Sequence, residues 1–173
     1  MTELYFVDTN VLVYARDASE PDKHASAIEW LDFLWRTKRG RLSSQVLQEY
    51  YQVVTRKLSP GLPRDAARQD VLDLGAWQPQ PIDRQVIERA WCVEDEFRLS
   101  WWDSLIVASG QQLRCRCLLT EDRKRVVVAA ATGHHSDALV GHSLDAKLGI
   151  PGHVIRSGDP LNVPDVRTSS RFS

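Results

Sequence analysis

Short unbroken apolar runs alternate along this chain with longer stretches in which apolar residues recur every three or four positions. Leu4-Tyr5-Phe6-Val7 is a run of strand formers closed by the polar trio Asp8-Thr9-Asn10. It reads as a strand buried on both faces, as in a parallel sheet, turning tightly into a helix. That helix continues over residues 11–15 and ends before Pro21. Residues 24–36 carry Ala27, Ile28, Leu31, Leu34 and Trp35 at helical spacing, and Gly40 offers a stop. A short second strand is expected over 41–44. Residues 45–57 predict a helix with Val46, Tyr50, Val53 and Val54 on one stripe. Pro60-Gly61-Leu62-Pro63 breaks the chain before a helix over 64–74. Residues 77–82, with Pro79 and Pro81, read as a loop or weak edge strand. Helices over 84–97 and 102–113 precede Cys117-Leu118-Leu119, a further buried strand ending at Thr120-Glu121-Asp122. Strands alternating with helices in this way predict an α/β fold with a mostly parallel central sheet.

The pattern weakens after residue 122. Val126-Val127-Val128 is one possible strand; the remainder is rich in Gly, Ser, His, Asp and Pro, and from Pro160 onward the composition is that of disordered chain. The expected organisation is a folded domain over 1–130 and an atypical, partly disordered C-terminal extension over 131–173. A length of 173 residues suits a single main core. The net charge of -1 gives no general basic excess, so a nucleic-acid partner would have to meet a local patch. The three cysteines, Cys92, Cys115 and Cys117, do not form a disulfide framework or zinc spacing and read as free thiols in a reducing compartment. The N-terminus does not read as a signal peptide, and no apolar run is long enough to span a bilayer, so a cytoplasmic location without membrane partners is expected.

The candidate chemistry lies in carboxylates. Asp8 and Asp122 each follow a short buried strand at its carboxyl end, where open parallel sheets form their sites. Helix capping explains an Asp there equally well. Glu49 borders the apolar stripe of its helix, between Val46 and Val53, where an acid needs a metal, a paired charge or partial exposure. Ser100-Trp101-Trp102-Asp103 fits a capping box and also places an acid in the first turn of a helix. Gathered at one end of a sheet, Asp8, Glu49, Asp103 and Asp122 would repel one another unless protonated or bound to cations. Hard divalent ions with oxygen ligands, Mg2+ or Mn2+, are the natural partners of such a cluster.

The segments Phe6-Val7-Asp8-Thr9-Asn10-Val11-Leu12-Val13-Tyr14, Leu42-Ser43-Ser44-Gln45-Val46-Leu47-Gln48-Glu49-Tyr50, Leu99-Ser100-Trp101-Trp102-Asp103-Ser104-Leu105-Ile106 and Leu118-Leu119-Thr120-Glu121-Asp122 together resemble the PIN-domain family. Within it they are most similar to the VapC-type toxins of bacterial toxin–antitoxin pairs. The resemblance covers about residues 4–122. It implies a three-layer α/β/α sandwich and an Mg- or Mn-dependent endoribonuclease. It matches Asp8, Glu49, Asp103 and Asp122 to the metal-binding catalytic acids, with Glu121 as a neighbour and substitute. Thr9, Asn10 and Thr120 match positions that orient those acids through hydrogen bonds. Implied partners are an RNA substrate, a cognate antitoxin and a second copy in a homodimer. Asp122 is followed by Arg123-Lys124-Arg125, where relatives continue with a leucine and a glycine. A lineage-specific extension and a change of reading frame both account for that departure.

Outside the acids, Arg39, Arg41, Arg56 and Lys57 are candidate RNA contacts, within a basic cluster that also holds Arg36 and Lys38. A solvated helix end is the competing reading. Trp101 and Trp102 offer a core anchor or a base-stacking ring. His134, His135, His142 and His153 lie near Asp137 and Asp145 but fit no standard zinc spacing. Two further functions compete: a catalytically impaired PIN-like module that binds RNA or an antitoxin-like protein, and an aspartyl phosphatase, against which Asn10 stands where a second Asp is wanted.

Overall fold

The computed structural model describes residues 3–120 and the backbone of two short strands at 126–127 and 143–144. The first strand, β1 (Tyr5–Val7), leads into α1 (Thr9–Tyr14), and α2 (Pro21–Thr37) follows. Next come β2 (Gly40–Arg41), α3 (Ser44–Arg56) and α4 (Arg64–Leu74), which closes in a 3-10 turn at Gly75–Trp77. The paired helices α5 (Arg84–Phe97) and α6 (Trp101–Gln112) precede β3 (Cys117–Leu119). Beyond the main sheet, β4 (Val126–Val127) pairs antiparallel with β5 (Ser143–Leu144), so the strand expected near residue 126 is present.

The main sheet has the order β2-β1-β3, and both pairings are parallel, as expected of strands that alternate with helices. Phe6 and Val7 are fully buried and share a core with Leu12, Leu34, Leu42, Val46, Tyr50 and Val54 from α1, α2, β2's exit and α3. A smaller core joins Val86 and Ala90 of α5 to Leu105 and Ala108 of α6. Helix α6 is buried on all sides from Ser104 to Gly110, because its small residues admit neighbours on every face. Arg16 and Tyr50 both bond to Asp70, which ties the end of α1 and α3 to α4. The arrangement is the α/β sandwich expected from the sequence.

Several boundaries differ from the sequence reading, and those around α2 and β2 have local reasons. Helix α2 begins at Pro21 itself, since proline's fixed φ and missing N–H suit the first helical position. Gly40 does not stop α2. Lys38 does, in left-handed backbone with φ 57°, while Gly40 lies in β2. A Cβ on Gly40 would stand 2.6 Å from the buried ring of Trp77, so the glycine serves close packing. Strand β2 accordingly runs earlier than the expected 41–44. The segment 77–82 contributes a single parallel bridge, Ser43 with Gln80, in keeping with an edge interrupted by prolines.

Candidate active site

The parallel register decides where the site forms. Val7 pairs with Leu119, so the next residues, Asp8 and Thr120, emerge side by side at the carboxyl end of the sheet. The Asp8 backbone N–H donates to the Leu119 carbonyl at 2.9 Å. Thr120 Oγ1 donates to Asp8 Oδ2 at 2.8 Å. The other carboxylate oxygen accepts the Thr9 N–H at 2.7 Å, so Asp8 also caps α1. The capping and site readings of Asp8 are therefore compatible in one geometry.

Glu49 reaches the same place from α3. Its Oε2 accepts the Thr9 hydroxyl at 2.9 Å and its Oε1 accepts Gln45 Nε2 at 2.9 Å. Thr9 thereby links Asp8 to Glu49. Gln45, only 5% exposed, also donates to the Trp102 carbonyl at 3.2 Å and so fixes α3 against the first turn of α6. Asp103 stands in that turn. Its N–H donates to Ser100 Oγ at 3.2 Å, and the Ser100 hydroxyl donates to Asp103 Oδ2 at 2.7 Å. This is a variant of the capping box in which the acid accepts a hydrogen bond from the cap residue's hydroxyl rather than from its backbone N–H.

Asp8, Glu49 and Asp103 line one open groove of about 700 Å³ with Thr9, Asn10, Gln45, Gln48, Gln52, Lys57 and Trp102 among its walls. Burial raises the Asp8 carboxyl above its ordinary range, the Thr120 and Thr9 hydrogen bonds oppose that rise, and the charges of Glu49 and Asp103 add to it. The three acids thus share a field. Among the described residues no three of His, Cys, Asp and Glu stand close enough to hold one ion jointly. The donor set nevertheless fits magnesium or manganese. Magnesium typically takes one or two carboxylates and keeps several waters, and the mutual repulsion around Asp8 is what a cation relieves.

The remaining candidates separate by position. Asn10 is exposed in the groove wall, whereas Thr9 hydrogen-bonds to Glu49 and Thr120 to Asp8. Lys57 lines the groove, and the exposed Arg56 precedes it without lining it. Arg39 and Arg41 are not brought to the acids. The Arg39 carbonyl accepts from Tyr5 N–H and Arg41 pairs with Phe6, so both come before the strand end from which Asp8 emerges, and neither lines the groove. The Arg41 guanidinium donates to the Gly40 carbonyl at 2.7 Å. Glu121, Asp122, residues 123–125 and the tail histidines lie outside the described residues. Gln45 was missing from the sequence-based site. Its spacing four residues before Glu49, on one helix face, is the signal that could have found it. Cys115 is buried, with its thiol pushed up to about 12 by desolvation; Cys92, Cys115 and Cys117 are free.

Among solved structures, VapC20 of Mycobacterium tuberculosis, described as a sarcin-ricin loop cleaving toxin, is similar with a TM-score of 0.51 at 19% identity, over 68% of this chain and 91% of that one. VapBC2 from Rickettsia felis, solved bound to a DNA fragment from their promoter, has a TM-score of 0.47 at 19% identity, over 70% of this chain and 89% of that one. No curated protein matches the chain in sequence. The PIN domain family model matches residues 5–131, the stretch that carries β1 through β3 with Asp8, Glu49 and Asp103, and the chain belongs to the PIN-domain family.

Proposed function

We propose that this protein is a metal-dependent endoribonuclease, the toxin component of a toxin–antitoxin pair. The observation that carries the reading is the convergence of Asp8, Glu49 and Asp103 on one groove, from β1's end and from two separate helices. Membership of the PIN-domain family and the fold likeness to VapC20, itself described as a sarcin-ricin loop cleaving toxin, support it.

Asp8 and Glu49 would hold Mg2+ or Mn2+, with Asp103 and, in the family pattern, Asp122 completing the acidic surround. A bound divalent ion supplies a more acidic water and stabilises charge on phosphodiester oxygens. The chain's own residues prepare for this. Thr120 and the Thr9 N–H hold the Asp8 carboxylate, and Thr9 and Gln45 hold both oxygens of Glu49. Ser100 holds Asp103. The acids are thus oriented before substrate arrives, which limits reorganisation in the reaction. Water adds to phosphorus, the bond to the 3′ oxygen breaks, and that oxygen takes up a proton. The products carry a 5′-phosphate and a 3′-hydroxyl.

The toxin reading brings a cognate antitoxin and a homodimer as partners. Exposed apolar side chains support it by offering surface to cover: Ile28 and Trp35 on α2, and Leu72 on α4. The deciding experiment is cleavage of a total RNA pool with magnesium or manganese, by the intact protein and by Asp8→Asn. The variant is expected to lose on the order of 100-fold or more in rate. Equal cleavage by the two proteins overturns the assignment.

A further inference from the structure

Trp102 is 61% exposed, while its neighbour Trp101 packs into the core between α5 and α6. The two indoles therefore divide the roles considered for them in the sequence. Trp102 lines the groove beside Asp103, on the wall facing α3. Its backbone is fixed twice. Ser100 caps the helix turn that carries it, and Gln45 Nε2 donates to its carbonyl. Gln45 also holds Glu49, so the ring's attachment and the acid are referred to one buried side chain. Gln48, Gln52 and Lys57 on or just after α3 are exposed along the same groove. Lys57 makes no ion pair among the described residues.

We infer that Trp102 is a base-stacking platform that selects single-stranded RNA, holding one nucleotide beside the phosphate presented to the acids. This rests on the ribonuclease reading above. A base inside a duplex has no free face for an indole, whereas an unpaired base does. The Gln48 and Gln52 amides carry both donors and acceptors suited to base edges, and Lys57 suits a phosphate. An indole in open water gains apolar contact and stacking when a base covers it, and its rigid attachment leaves little freedom to lose on binding.

The test uses full-length Asp8→Asn protein, so that binding is read without cleavage. The probe is a fluorescein-labelled, unstructured mixed-sequence RNA of about 12 nucleotides. Its affinity is compared for the protein that keeps Trp102 and for its Trp102→Phe and Trp102→Ala derivatives. Trp102→Ala is expected to weaken binding roughly 5- to 150-fold, with Trp102→Phe recovering most of it. In a series of probes each made abasic at one position, one probe should bind the protein that keeps Trp102 and the Trp102→Ala derivative alike, because the same contact is removed from either side. The duplex form should bind more weakly and show no dependence on Trp102. Unchanged affinity for the single strand in Trp102→Ala, or equal preference for the duplex, overturns the proposal. It is likewise overturned if Trp102→Ala keeps its RNA affinity but alters oligomeric state, which would make the ring a protein contact. RNA cleavage by the protein with its native Asp8 is scored separately. Its absence removes the ribonuclease reading, whereas cleavage with unaltered binding by Trp102→Ala removes only the platform.

Discussion

A carboxyl group that is partly buried beside two other acids gives up its proton late, and Asp8 is in that situation. Its folded-state pKa lies above the unfolded value, so the folded protein binds that proton more tightly. The linked stability is present below the unfolded value of about 3.9 and is lost as pH rises through the raised folded value. Asp8→Asn removes this penalty and keeps a residue that caps helices well. The variant is expected to melt above the parent at pH 7 without divalent ions, with the difference shrinking toward zero in acid. Thermal melts across pH check this, and added magnesium should raise the parent more than the variant. Gln45 is the second residue of consequence. Gln45→Ala frees one oxygen of Glu49 and is expected to weaken manganese binding about 10- to 100-fold, read by titration calorimetry. Asp8, Glu49 and Asp103 could be singled out in the sequence because each lies in a motif that resembles the PIN-domain family, while capping explained the two aspartates equally well; the structure brings the three to one groove. Gln45 was passed over because a neutral amide draws notice only when read together with Glu49, four residues further along the same helix face.

At the scale of elements, periodicity located the helices and misplaced some of their ends. An apolar repeat reports which face is buried and says little about the first and last turns. Pro21 and Lys38 set the ends of α2 through backbone geometry, which the repeat does not encode. Gly40 shows the difference most clearly. In sequence it resembles a helix stop, whereas its missing Cβ makes room for the Trp77 ring, which is buried, rigid and hard to move. Gly40→Ala is expected to destabilise the protein by about 1–3 kcal/mol, as overpacking does. Urea unfolding would register this as a lower midpoint with an unchanged slope. Gly40→Ala and Trp77→Leu together should cost less than the sum of their separate costs, since the shorter side chain withdraws from the new methyl group.

For the molecule as a whole, the even balance of charge predicts a modest role for electrostatics in substrate binding. Each phosphate neutralised on a single strand contributes about -0.7 to the slope of log affinity against log salt. Lys57 is the one lysine or arginine in the groove wall among the described residues. The slope for a short single-stranded RNA is therefore expected to be shallow, near that of one or two contacts, and Lys57→Gln should flatten it by about one contact's share. Binding measured across a salt series decides the matter, and a slope of many contacts would place the main electrostatic surface elsewhere. The overall architecture was legible because buried runs alternate with amphipathic stretches as far as residue 119. Beyond residue 122 the sequence has no comparable periodicity; of the segments expected there only the strand at 126–127 lies within the described residues, and its partner β5 was not expected.

Strand β1 sits in the centre of the main sheet, yet it is made before either partner, and one of the two is separated from it by more than a hundred residues. During synthesis at about 5–20 residues per second, it waits roughly 6–22 s for β3. Thr120 arrives on the same strand exit, so the hydroxyl that holds Asp8 is among the last parts of the site to be translated. A nascent chain that has not yet released this segment has an unfinished sheet and an unbraced Asp8. The topology thereby delays assembly of the groove until nearly the whole described fold has left the ribosome.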